Sequence, residues 1–287
     1  MSRFVCAILA GAAIAGAITQ AAAADLTVPY VAPIIEQIAV PGGWYLRGDI
    51  GIGIERGRFK ENEFDKPPAG YRGRWIRQSI DDGASFGIGI GYQFNPWLRG
   101  DLTAEYRTAV TVRGIGQQTG SFNNINGTAY ANMSGSLSST VILANAYADL
   151  GTYWGITPYV GGGLGMAYNR MTGFTQTNTI PSPNGPVPVL AKYNDAGTAS
   201  FAWALHAGAS YDISDRLKLD LSYRYLDFGS ASTGALYGLD NAGGKPKFGD
   251  KYRSTDLSSN DFRLGFRYLL GGPTAAAPMP MPVIAKN

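Results

Sequence analysis

The segment from Arg216 to Tyr225 alternates strictly between polar and apolar residues. In an extended strand, successive side chains point to opposite faces. One face would therefore carry Leu217, Leu219, Leu221, Tyr223 and Tyr225, and the other Lys218, Asp220, Ser222 and Arg224. A soluble β-sandwich would bury the apolar face, whereas a β-barrel in a bilayer would turn it outward to the lipid.

Seven more segments of the chain show the same period of two. Each is about as long as a tilted strand that crosses a bilayer, which takes roughly 9–11 residues. No stretch after residue 24 approaches the run of about 20 apolar residues that a spanning helix needs. The eight predicted strands are Gly43 to Glu55, Gly83 to Phe94, Trp97 to Arg107, Ser139 to Leu150, Thr157 to Asn169, Ser200 to Ile213, Arg216 to Phe228 and Ser259 to Leu270.

The connections between these strands alternate between short and long. Tight turns are predicted at Asn95-Pro96, at residues 151–156 and at Ser214-Asp215, because these positions are rich in turn-forming residues. The long connections are residues 55–80, the Gly/Asn/Ser-rich run after Arg107, residues 171–198 and residues 229–257. This alternation is typical of an outer-membrane barrel with periplasmic turns and external loops. The sequence therefore predicts an all-β, antiparallel eight-stranded transmembrane β-barrel with four long external loops and three short periplasmic turns.

The faces that would point into the barrel carry charges of both signs. The interior of an eight-stranded barrel is only wide enough for side chains to fill it, so we expect these charges to pair. Inward glycines, such as Gly51, Gly53, Gly87, Gly163 and Gly165, would make room for long arginine side chains. The alternative is a small porin or slow diffusion channel. The predicted lumen charge network consists of Arg47, Asp49, Arg99, Asp101, Glu105, Arg107, Asp149, Lys218, Asp220, Arg224, Arg263 and Arg267.

Both ends of the chain differ from the predicted barrel. Residues 1–24 have a positive start, an apolar stretch and an Ala-x-Ala motif, as in a cleaved secretory signal peptide. An N-terminal membrane anchor is the alternative. Residues 25–42 form a Pro-rich lead that we expect in the periplasm, residues 43–270 the barrel, and residues 271–287 a Pro/Ala-rich tail. The one cysteine, Cys6, would leave with the signal peptide.

Several of these strands resemble a known family. The stretch ILANAYADLGTYWGITPYVGGGLGMAYNR, then ALHAGASYDISDRLKLDLSYRYLDFG and the closing DFRLGFRYLL, is similar to the alphaproteobacterial outer-membrane β-barrel family of porin-like, eight-stranded surface proteins. The likeness spans most of the chain from Trp44 to Leu270. It implies an abundant surface barrel in the bacterial outer membrane and brings no catalytic motif.

Other chemistry in the sequence is sparse. His206 is the one histidine, and Ser210 lies on the same predicted strand face, but a triad needs a nucleophile, a base and an acid in mutual reach. We interpret His206 as part of the polar lumen, with a lipid-modifying enzyme as the alternative. No catalytic residue, cofactor or metal site is predicted. With 24 basic and 21 acidic residues, the chain shows no stripe of charge that would indicate nucleic-acid binding.

The predicted partners follow from membrane placement and from the loops. We expect contact with outer-membrane lipid and lipopolysaccharide, folding by the barrel-assembly machinery, and a monomer. Loop tyrosines Tyr71, Tyr130 and Tyr193 suggest haem or a host surface. Basic residues of the first loop could bind the anionic groups of lipopolysaccharide, or could belong to a solvated mixed-charge loop. They are Arg56, Arg58, Lys60, Arg72, Arg74 and Arg77.

The sequence as a whole therefore predicts an outer-membrane surface protein. Its role would be structural, supporting the integrity of the envelope, while its loops make contacts at the cell surface.

Overall fold

The computed structural model describes residues 43–60, 65, 67, 69–122, 124–240 and 253–270. The predicted signal peptide, the Pro-rich lead and the C-terminal tail lie outside these residues. Within them, no helix is long and apolar enough to cross a membrane.

The described part of the chain forms eleven strands. The five strands of the first half are β1 (Gly43–Lys60), β2 (Arg72–Ile80), β3 (Gly83–Asn95), β4 (Leu98–Phe122) and β5 (Ile125–Asp149). The remaining six are β6 (Ile156–Ile180), β7 (Val187–Tyr193), β8 (Ala196–Asp212), β9 (Leu217–Ser232), β10 (Leu236–Asp240) and β11 (Arg253–Leu269).

Eight of these strands close into a ring of antiparallel pairs. The order around the ring is β1, β3, β4, β5, β6, β8, β9 and β11, and β11 pairs with β1. Closure leaves these strands without a free edge at the level of the ring. All eight predicted strands are confirmed, and the short turns after β3, β5 and β8 lie where the sequence predicts them.

The wall of the barrel continues into the predicted long connections. β4 and β5 form one long hairpin that closes from Phe122 to Ile125, so the run after Arg107 is mostly strand and not loop. β2 follows the line of β3 beside β4, β7 follows the line of β8 beside β6, and β10 pairs with β7. β4, β5 and β6 have 25 residues each, more than twice the roughly 9–11 that cross a bilayer. A large part of the wall therefore projects beyond the membrane.

The outside of the ring is an apolar belt. Outward positions repeat every second residue, and Ile88, for example, is 71% exposed. Lipid is the environment that such a surface requires. The belt includes Leu46, Ile50, Ile52, Ile54, Phe86, Ile88, Ile90, Leu102, Tyr106, Val160, Leu164, Met166, Phe201, Leu205, Leu221, Phe262, Leu264 and Phe266.

Candidate functional site

The middle of the lumen holds a compact cluster of charges. Arg107 binds Glu55 at 3.0 Å, Glu105 at 3.1 Å and Asp261 at 3.1 Å. Arg224 binds Glu105 at 2.7 Å and Asp261 at 2.5 Å. Two arginines therefore share the same two carboxylates. All five side chains are buried, so each charge depends on its partners instead of on water.

A second group of charges continues from this cluster. Arg263 binds Glu105 at 2.7 Å and also pairs with Asp49. Arg47 binds Asp49 at 3.1 Å and Asp101 at 2.8 Å. Carboxylates again bridge neighbouring arginines, so the network is continuous across the lumen.

The end of the lumen near the short turns is closed by two further arginines. Arg99 binds Asp149 at 3.0 Å and lies over the rings of Tyr147 and Tyr159, with its guanidinium carbon 4.1 and 4.5 Å from the ring centres. Such cation–π contacts are favourable when the cation has lost its water.

Asp220 holds the other arginine. Arg267 binds Asp220 at 3.3 Å and Ser210 Oγ at 2.7 Å, and Ser210 donates a hydrogen bond to Asp220. Lys218 lies apart from the network, because its ammonium group pairs with Asp212 at 2.5 Å and both side chains are partly exposed. The prediction that Lys218 belongs to the lumen network is wrong, because Lys218 lies at the start of β9, near the turn.

Glycines of β3 provide space for the network. A Cβ atom at Gly87 would lie 2.6 Å from Asp49 Oδ1 and 2.9 Å from Arg263 Nη2. Such a separation is too short for non-bonded atoms, so a side chain here would displace the ion pair.

Gly87→Ala is therefore expected to lower the free energy of unfolding by about 1–3 kcal/mol. Gly48→Ala is the matched control, because a Cβ atom there would have its nearest contact 3.8 Å away. Urea titration of the refolded barrel, followed by the loss of the folded gel band, measures both variants. Equal midpoints for the two would contradict this role of Gly87.

Beyond the charges, toward the long connections, the interior becomes apolar. Phe228 marks the boundary, because its ring lies 5.4 Å from the guanidinium carbon of Arg107 and belongs to the apolar cluster. Most of this cluster lies in segments that the sequence pattern predicts as loops, although short alternations such as Val110 and Val112 within the second connection could have indicated it. Its members include Phe59, Val110, Val112, Met133, Leu137, Leu143, Met171, Phe174, Leu226, Phe228, Leu236 and Leu257.

His206 and Ser210 do not form a catalytic pair in this arrangement. The Nε2 atom of His206 lies 3.2 Å from Asn145 Oδ1, while Ser210 is held by Asp220 and Arg267. The two residues are four positions apart on β8, which corresponds to about 13 Å along a strand. Both side chains are buried.

The six basic residues of the first connection lie on two elements and are all exposed. Arg56, Arg58 and Lys60 continue the outward row of β1 directly after Ile54, and Arg72, Arg74 and Arg77 lie on β2. Arg74 donates a hydrogen bond to Gln117 at 2.8 Å.

The three loop tyrosines differ in their environments. Tyr130 is exposed, Tyr71 donates a hydrogen bond to the carbonyl of Ser121, and Tyr193 is buried and donates to Gln176 at 2.9 Å.

A closed antiparallel ring with an apolar outside and a charged inside defines an outer-membrane β-barrel. The family described as "Outer membrane protein beta-barrel domain" matches residues 9–269. An uncharacterised protein of Brucella abortus (strain 2308) is 35% identical over 239 residues, which cover 78% of this chain and 80% of the relative. The chain belongs to this outer-membrane β-barrel family, and its place is the bacterial outer membrane.

The chain is also similar to further relatives and to solved structures of outer-membrane proteins. Outer membrane protein PagN of Salmonella typhimurium is 30% identical over 190 residues, covering 63% of this chain and 71% of PagN. A candidate adhesin of Rickettsia bellii is 26% identical and covers 75% of this chain and 85% of its own length. Among solved structures, Neisserial surface protein A has a TM-score of 0.41 at 15% identity, covering 80% of this chain and 99% of that one. OprG of Pseudomonas aeruginosa has a TM-score of 0.44 at 16% identity, covering 80% and 97%.

Proposed function

We propose that the protein is a non-conducting outer-membrane surface protein that supports the integrity of the envelope and makes contacts outside the cell through its projecting wall. The single observation that carries this proposal is the filling of the interior by two consecutive layers. Paired charges occupy the level of the apolar belt, and most members of the apolar cluster, such as Val112, Met133 and Phe174, lie beyond it.

The two layers would stop ions for different reasons. In the charged layer, an ion would have to separate buried pairs such as Arg224 and Asp261, which costs several kcal/mol. In the apolar layer, it would have to lose its water without finding a partner. Either layer alone would hinder conduction.

The projecting wall supports a role in contacts at the surface. The hairpin of β4 and β5 extends well past the belt and presents polar residues, and Tyr130 and Asn132 are exposed on it. A relative bears the name of an adhesin. We propose that contacts with a host surface or haem use this projecting part.

Three further partners belong to the proposal. Lipid surrounds the belt, lipopolysaccharide meets the six exposed basic residues, and the barrel-assembly machinery inserts the monomer. The position of Arg56, Arg58 and Lys60, directly after Ile54 on the outward row of β1, supports a contact with the phosphates of an outer-leaflet lipid.

We propose no enzymatic activity, because His206 and Ser210 are buried and bonded to different partners. His206→Ala is expected to leave the composition of lipid A unchanged. Mass spectrometry of lipid A from cells that express the wild type or the variant measures this. A modified lipid A species that disappears with the variant would favour the lipid-modifying enzyme.

A gene deletion tests the proposed role directly. Loss of the protein is expected to make the parent bacterium sensitive to detergent, and the full chain should restore resistance. A variant whose β4–β5 hairpin is shortened beyond Val112 and Met133 should restore resistance but not attachment to surfaces. A deletion strain with wild-type resistance and wild-type attachment would contradict the proposal.

A further inference from the structure

Strands β1 and β3 separate beyond their last paired residues, and we call the resulting gap in the barrel wall the seam. Backbone pairing of these strands ends at Gly53 and Gly83, and above this point β1 faces β2. The side chain of Gln78 bridges the two strands, because it accepts from the backbone N–H of Phe59 at 3.2 Å and donates to the carbonyl of Phe59 at 3.3 Å. A cavity of about 590 Å³ lies in this seam.

The cavity lies directly above the apolar belt. On β1 the outward row passes from Ile52 and Ile54, which are exposed and apolar, to Arg56 and Arg58. Arg56 and Arg58 line the cavity. Because the row changes from apolar to basic between two neighbouring outward positions, the mouth of the cavity borders the edge of the membrane.

The lining of the cavity combines cations with sugar-binding groups. Arg56 and Arg58 provide two guanidinium groups, which suit phosphate oxygens. Gln78, Ser79 and Asp256 provide amide, hydroxyl and carboxylate groups that can bind sugar hydroxyls.

Two residues define the inner side of the cavity. Gly57 lines it without a side chain, and a Cβ atom there would lie 2.7 Å from Leu257 and 2.9 Å from Ile80. At the inner end lies Glu55, whose carboxylate is paired with Arg107. Because Glu55 is already paired, Arg56 and Arg58 on the outward face are the groups of the lining that attract a phosphate.

We propose that this seam cavity binds the phosphorylated sugar headgroup of an outer-leaflet glycolipid, with its phosphate on Arg56 and Arg58 and its sugar hydroxyls on Gln78, Ser79 and Asp256. The acyl chains lie along the outward row of β1 below. The inference rests on the proposed contact with lipopolysaccharide and reduces six basic residues to the two that line one site.

Binding of lipid A to the refolded full chain in neutral detergent tests this site. The readout is the number of lipid A molecules bound per protein, measured by native mass spectrometry over a titration. Arg58→Gln is expected to weaken binding at least about tenfold, the change that follows from losing one charge-assisted contact. Arg170→Gln is the matched control, because Arg170 is exposed on the outward row of β6 just after Tyr168, does not line the cavity and is not among the six basic residues proposed to meet lipopolysaccharide.

Equal loss in the Arg58 and Arg170 variants would mean general attraction of charges and would overturn the site. Competition separates the sources of the phosphate. Displacement of lipid A by glucosamine 1-phosphate supports a headgroup site, whereas equal displacement by inorganic phosphate would overturn it. A folded barrel that conducts ions would contradict the filled lumen and leave this result intact, so the two proposals fail separately.

Discussion

Asp261→Ala is expected to lower the free energy of unfolding by about 3–5 kcal/mol, the cost of breaking a buried ion pair from one side. Asp261 is fully buried and binds both Arg107 and Arg224, so its removal leaves two arginines short of a partner. The measurement is urea-induced unfolding of the refolded barrel in lipid vesicles, followed by the heat-modifiable gel band.

Lys218→Ala is the control for this prediction. Its pair with Asp212 is partly exposed, so its loss should cost less than about 1 kcal/mol. A change of similar size in both variants would mean that the buried network stabilises the barrel no more than a surface pair does.

Phe228→Ala is expected to cost about 3–5 kcal/mol, the usual range for truncating a buried phenylalanine. The ring is fully buried between the charged layer and the apolar cluster. Its removal would leave a cavity that the surrounding strands cannot close, because they are held in register on both sides. The same unfolding assay measures this effect.

Ile88→Ala is the matched control on the lipid face, because Ile88 is directed outward. Lipid chains can fill the space left there, so the loss of stability should be clearly smaller. If the two variants were equally unstable, the interior at Phe228 would be loosely packed and fluid.

The period of two along the strands, together with the alternation of short and long connections, was sufficient to predict the ring. From Arg216 to Phe228 the period of two identifies the outward and inward faces, and the structure has β9 in that register. Lys218 shows the limit of this reasoning, because periodicity gives the side of a strand but not the height within the barrel. Its partner, Asp212, belongs to the preceding strand and is brought near by a turn.

The pairing of charges and the apolar layer could be predicted less well. Asp261 binds Arg107 from 154 positions away, and only closure of the ring sets that contact. The apolar layer lies in segments that are rich in Gly, Ser and Thr, such as the one around Val112 and Leu137. Because these polar residues suggested loops, the alternation of larger residues between them was not interpreted as strand.

The central claim is that two layers fill the interior. Single-channel recording of the refolded, purified barrel in a planar bilayer, at neutral pH and moderate salt, tests it most directly. We expect no stepwise currents while the heat-modifiable band shows that the barrel is folded. Stable stepwise openings would contradict the filled interior and would mean that the inward arginines line a small water-filled pore.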